Sequence, residues 1–296
     1  MAGGGSPRYF PFVQFEFAYP LGPADGRYLT RPEAGAEPER IVVLSTVGAQ
    51  RRSVLARRRA RRLEEGGGDP APVPTARATV IRAERFESRA EADRWLEGLR
   101  ADRSALEAEA AEAARELNAL LRAYRAAAAD PQVRDVAPTG ATVVRIGHGS
   151  GEQVADGRYA AACELPPPSP RSRTRRRAQA LVPDERLAAI LGRREEMLAC
   201  EELVLRARLD LEAGRPREAA LQARIALEAL LAELGGSTAP ELRELGADRE
   251  RIANAANEAL ERDPAPELQD DVRHAVDRME TALRRRRIHG ADEPPG

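Results

Sequence analysis

Three histidines, two cysteines and 47 basic residues are the material from which chemistry could be assembled in this chain of 296 residues. His148, His274 and His289 form no Ser/His/Asp or metal constellation with any specificity. Cys163 and Cys200 lie far apart with no metal-ligand spacing around them, so each reads as a small buried apolar residue rather than a bridge or a nucleophile. Neither metal nor cofactor is expected. Gly147-His148-Gly149-Ser150-Gly151 follows a strand, as a phosphate cradle does. Glu152 to Gly157 leads on to another strand, however, and supplies no helix N-terminus, so the run reads as a hairpin loop with His148 at the surface. Glu195/Glu196 and Glu201/Glu202 read as solvated helix faces. Arg284-Arg285-Arg286-Arg287-Ile288-His289-Gly290 is more pointed, because it places an Arg and a His with four residues between them at the end of a helical segment.

All 47 basic residues are Arg, and 48 acidic residues balance them to a net charge of −1. The chain as a whole is therefore no polyanion binder. Three clusters, Arg51 to Arg62, Arg171 to Arg177 and Arg284 to Arg287, could neutralise phosphates in a salt-dependent way. Two adjoin linkers, and none is interleaved with aromatic residues. No Phe, Tyr or Trp follows Tyr159, so the C-terminal half has no stacking platform for unpaired bases. The clusters read as solvated charge, with RNA as the lesser alternative.

The elements that would position these residues fall into two groups. Tyr9 to Tyr19 alternates with Val13, Phe15, Phe17 and Tyr19 on one face, the pattern of a half-buried strand, and it holds four of the five Phe residues in the chain. Further strands are expected at Arg27–Thr30, Ile41–Val47, Thr75–Arg85, Ala141–Ile146 and Arg158–Leu165. An Arg/Gly/Pro insertion interrupts them at about 49–75. Ser88 and Glu91 read as a capping box for one long helix from Arg89 to about Ala129. Its heptad positions, Leu99, Leu106, Ala113 and Leu120 with Ala110, Leu117 and Tyr124, pack either on the protein's own sheet or on another helix. This gives an α+β domain at 1–165, an antiparallel β-sheet with one long helix. A Pro/Arg linker at 166–180 follows, then an all-α antiparallel four-helix bundle at 181–290 and a tail at 291–296.

The bundle is organised around Met197 to Leu234, two helices joined at Gly214-Arg215-Pro216. Met197, Cys200, Val204, Ala207 and Leu211 face Ala220, Ala223, Leu227, Leu230 and Leu234 at helical spacing. A helix from Asp184, one at Asp248–Arg262 and one at Pro266–Ile288, with the stripe Leu268, Val272, Val276, Met279 and Leu283, complete it. Ala207 to Gly214, Ala220 to Leu234 and the Arg284 to His289 motif together resemble the HEPN superfamily. These are small helical bundles, often dimeric, whose active members cleave RNA without metal. The resemblance implies that Arg284 stabilises phosphate charge and His289 assists proton transfer. The position after the motif Arg, commonly polar in that family, is Arg285 here, and six residues follow Gly290. The hairpin also looks like a single tetratricopeptide-type unit, which implies helix-hairpin packing alone.

Pro11, Gln14, Glu16 and Pro20 break any apolar leader, and no stretch approaches the roughly 18 apolar residues of a membrane span, so a cytoplasmic location is expected. The leading functional expectation is a non-enzymatic protein-interaction or scaffolding protein whose bundle binds itself, as a homodimer, or another protein. The alternative is an HEPN-like ribonuclease or RNA binder using Arg284 and His289.

Overall fold

Aromatic residues on both sides of one strand decide the first half of the chain. In β1 (Tyr9–Phe17), Val13, Phe15 and Phe17 point to one face and Phe12 to the other, and all four are buried. Such a strand belongs in the interior of a sheet. The computed structural model places it there, describing residues 8–31, 33–48, 74–166, 186–234 and 240–290, with the backbone alone at 240–242 and 287–290. Two compact units result, Met1–Ser169 and Pro170–Gly296. The insertion called at 49–75, as far as residue 73, and the linker beyond Pro166 lie outside the described residues, as do Arg51 to Arg62 and Arg171 to Arg177.

The first unit is an α+β fold. β1 joins β2 (Gly26–Thr30), β3 (Arg40–Val47), β4 (Thr75–Arg82), β5 (Val143–Ser150) and β6 (Ala161–Glu164) in the order β2-β3-β4-β1-β5-β6, with every pairing antiparallel. The Val13/Phe15/Phe17 face packs with Val42, Leu44, Val80 and Ile146 against the helices. The Phe12 face packs with Val43 and Ile81 under Val154 of a short helix, α3 (Gly151–Ala155). The rest of that second face is polar. Glu16 accepts hydrogen bonds from Arg145 (2.8 Å) and Arg77 (3.0 Å), while Gln14 donates to Thr79 (3.2 Å). Burial alone would raise the Glu16 carboxyl, but the Arg145 and Arg77 hydrogen bonds outweigh it and hold the group below its ordinary value.

Three expectations are corrected here. The single helix is two, α1 (Arg89–Ala101) and α2 (Arg103–Ala128), because Asp102 adopts an extended conformation and its carboxylate caps α2 through the N–H groups of Ser104 (2.8 Å) and Ala105 (3.3 Å). Its heptad positions Leu106, Ala110, Ala113 and Leu117 are buried in the sheet's own core, so the seam needs no partner helix. The Gly147 to Ser150 run is not a loop but the end of β5, and the last strand starts at Ala161 rather than Arg158. A Cβ at Gly147 would fall 2.3 Å from the Ala161 carbonyl oxygen, and one at Gly149 would fall 2.7 Å from Val154 Cγ2. These glycines therefore serve close packing of β5 against β6 and Val154. His148, expected at the surface, is 0% exposed.

The second unit is helical: α4 (Ala199–Glu212), α5 (Pro216–Leu234), α6 (Pro240–Ala247), α7 (Arg249–Ala259) and α8 (Pro266–Gly290). The helix expected from Asp184 becomes a separate helical turn at 186–191, followed by Gly192 and by Arg193 at a positive φ of 53°, and α4 starts only at Ala199. The short α6 was not legible in the sequence pattern. Phe15 is fully buried in the sheet's larger core, and Phe15→Ala should destabilise the protein by about 3–5 kcal/mol, read from the denaturant midpoint by circular dichroism.

Candidate interaction surface

Small side chains and a tight turn build the centre of the helical unit. Gly214 sits at a φ of 66°, a left-handed conformation that costs glycine little, and Pro216 opens α5, where its missing N–H is not needed. Cys200, Val204 and Ala207 of α4 and Ala219, Ala220, Ala223, Ala226, Leu227 and Leu230 of α5 are buried together. Alanine at so many contact positions lets the axes approach closely. From across the hairpin, the Glu233 carboxylate accepts from the backbone N–H groups of Ala199 (3.1 Å) and Cys200 (2.9 Å) and so caps α4. Burial, with the Glu233 carboxylate beside it, pushes the Cys200 thiol up to about 12.

Ion pairs set the other helices around this hairpin. Arg217 donates to the carbonyls of Ala259 (2.8 Å) and Leu260 (3.0 Å), Arg224 to Asn257 (2.9 Å), and Arg249 pairs with Glu228, which aligns α5 antiparallel to α7. Arg208 of α4 bridges to Glu280 (2.9 Å) and Asp277 of α8. Asp248, buried at the start of α7, pairs with Arg251 and with Arg278 of α8. Val272, Val276, Met279 and Leu283 of α8 are buried against them, with Leu268 half-buried. Glu201, which the sequence placed on a solvated face, is buried and held by both oxygens to Arg186 at 2.8 Å.

The opposite side of the hairpin carries the candidate site. Leu205 is 59% exposed, Leu209 53% and Ile225 54%. Leu205 and Leu209 lie one turn apart on α4, on a stripe centred roughly 150° around the axis from that of Val204, Ala207 and Leu211. Ile225 lies on the side of α5 turned away from its buried stripe, and the exposed Glu202–Arg206 pair (3.1 Å) sits beside Leu205 and Leu209 on α4. The inward stripe read from the sequence holds at Cys200, Val204 and Ala207, while Leu211 and Leu234 are half-buried. Met197 is 60% exposed because it precedes the first turn of α4 and belongs to no helical face. The outer leucines were missed, although α4 is apolar on two sides, which is itself a signal of a second contact surface.

The other candidate residues do not gather into one site. Arg284 is exposed near the end of α8, alongside Arg285 and Arg286, and the side chain of His289 lies outside the described residues. Arg284 and His289 are five positions apart on one continuous helix, which separates them by roughly 140° around its axis. His274 is exposed on the same helix, and His148 belongs to the other unit. Among the described residues no cluster of His, Cys, Asp and Glu has the arrangement to hold a metal ion, and no helix is long and apolar enough to cross a membrane.

The two free thiols should behave differently. At pH 8 a disulfide-exchange reagent is expected to titrate the half-buried Cys163 readily and Cys200 only after unfolding, the counts being read from absorbance with and without denaturant. Comparison of the chain with protein-family models, with curated proteins and with solved structures finds no match.

Proposed function

We propose that this chain is a protein-interaction protein, non-enzymatic, that works through its helical unit and binds a second copy of itself or another protein on the outer face of α4 and α5. The supporting observation is the exposure of Leu205 and Leu209 on the outer surface of α4 and of Ile225 on that of α5, two helices whose inner faces are closed largely by alanine. Fully covering a leucine or isoleucine contributes about 1.5–3 kcal/mol, so three such side chains supply a usable anchor once association costs are met. The reading places the chain in the cytoplasm, where free Cys163 and Cys200 stay reduced. Multi-angle light scattering on the full chain tests it. The wild type should show a species larger than the monomer, and Leu205→Glu with Leu209→Glu should return it to monomer with helical circular dichroism unchanged. If the wild type is monomeric, pull-down from lysate with the double variant as control decides whether another protein is bound through this face.

A second reading, supported by the exposed Arg284 beside Arg285 and Arg286, is an HEPN-like, metal-independent ribonuclease or RNA binder in which Arg284 meets phosphate and His289 moves a proton. It predicts cleavage of RNA in chelator that Arg284→Ala and His289→Ala abolish. Equal inertness of all three proteins ends the enzymatic form of this reading.

A further inference from the structure

The strongest unexplained group in the molecule is His148. Its ring is fully buried at the end of β5, edge-on to Tyr9 (centroids 5.9 Å apart) and to Phe86 (6.4 Å), and its Nε2 lies 2.9 Å from Asp93 Oδ1 of α1. An ionised carboxylate only accepts, so Nε2 carries the proton and donates it, which leaves Nδ1 as a bare acceptor. That atom is buried and has no hydrogen-bond partner. No substrate reaches a side chain so enclosed, which rules out a catalytic role and leaves a conformational one.

The helix that closes over His148 is docked mainly along one stripe. Of its 13 residues only Ala92 and Leu96 are buried, Trp95 and Leu99 pack half-buried against the core, and polar ties are Arg100 donating to the Ala162 carbonyl (3.0 Å) and the Asp93–His148 hydrogen bond, with Trp95 also against Phe86 (5.4 Å). Its C-terminal end is the extended residue Asp102, whose carboxylate caps α2 independently of α1. A change in φ and ψ at this one residue would therefore move α1 without unwinding α2.

We propose that the Asp93–His148 contact is an acid-sensitive latch, protonation of the imidazole releasing α1 from the sheet about a hinge at Asp102. The charged and titratable groups facing the ring are Asp93, Arg89 and Arg100 of α1 and the Tyr9 phenol of β1. A second proton would put an N–H at Nδ1 where no acceptor exists, in a site stripped of water and close to Arg89 and Arg100. Asp93 offsets this only in part. Burial, then, keeps the docked imidazole below its ordinary value of 6.5. The docked form binds fewer protons than the released form between that lowered value and 6.5. Its stability is thus complete above about pH 6.5 and falls as the pH drops below it, by at most tenfold in the docking equilibrium per pH unit.

Trp95 is the only tryptophan in the chain and lies on the moving helix, so it reports the event directly. Between pH 7.5 and 5.5 the full-length protein should show a red shift of Trp95 emission. Hydrogen-exchange protection across residues 89–101, corrected for intrinsic rates, should fall several-fold while residues 106–121 of α2 keep theirs. His148→Phe, which fills the aromatic surround without titrating, should hold α1 protection constant over the same range. Asp93→Asn changes an exposed carboxylate, removes the attraction for the imidazolium and should deepen the acid loss; it serves if the His148 variant fails to fold. Unchanged α1 protection in the wild type, the same acid loss in His148→Phe, or an imidazole titrating at or above 6.5 by NMR in the folded protein would each overturn the latch.

Discussion

The close approach of two alanine-lined helices is the constraint on which the helical unit depends. Ala207 of α4 is buried together with Ala219, Ala220, Ala223 and Ala226 of α5, and Cys200, Val204, Leu227 and Leu230 fill the rest of the buried seam. The closeness lets Glu233 reach across to cap the first turn of α4, and it leaves Leu205, Leu209 and Ile225 no interior to enter. Alanine packing and leucine exposure are two consequences of the same geometry. Exposed leucine and isoleucine side chains on the outer surfaces of α4 and α5 are the physical basis for reading the unit as something that binds.

A chain without lysine meets its polar demands through guanidinium groups, and their planar fork shapes both units. Arg77 and Arg145 converge on Glu16 across three strands, Arg208 ties α4 to α8, and Arg217 satisfies two carbonyls at the end of α7 that the helix itself cannot. These contacts fix register and angle more than they add stability, since most are partly open to solvent. The sheet shows the same division of labour. Apolar residues of β1 close both faces near Phe12 and Phe15, and charge orders the remainder near Glu16.

Asp93–His148 stands apart from that pattern because the group it buries can change charge near neutral pH. A structural role alone would be filled by any residue of the right shape. An imidazole with one nitrogen satisfied and the other bare is stable only while neutral, which ties the position of α1 to the proton.

The fold class was legible in the residues themselves. Alternation in Tyr9 to Phe17 and the continuous apolar run of Ile41 to Val47 mark the sheet, Gly214 and Pro216 mark the hairpin, and the Val272, Val276, Met279 and Leu283 stripe marks the last helix, because period and turn chemistry are local properties of the chain. The site was legible only in part. The inner stripe of α4 reads from spacing, but Leu205 and Leu209 have the same residue type as a core position, and which side of an all-round apolar helix is covered depends on what packs against it. Asp102 breaks the long helix because its carboxylate caps the N–H groups of Ser104 and Ala105, a competition that apolar spacing does not register. His148 looked like a turn residue between glycines, and only the strand pairing of β5 with β1 and the arrival of α1 above it decided that it is buried. Sequence by itself determined where helices and strands could form; tertiary structure decided which apolar faces remain open and which polar groups lose their water, since burial is a property of neighbours distant along the chain.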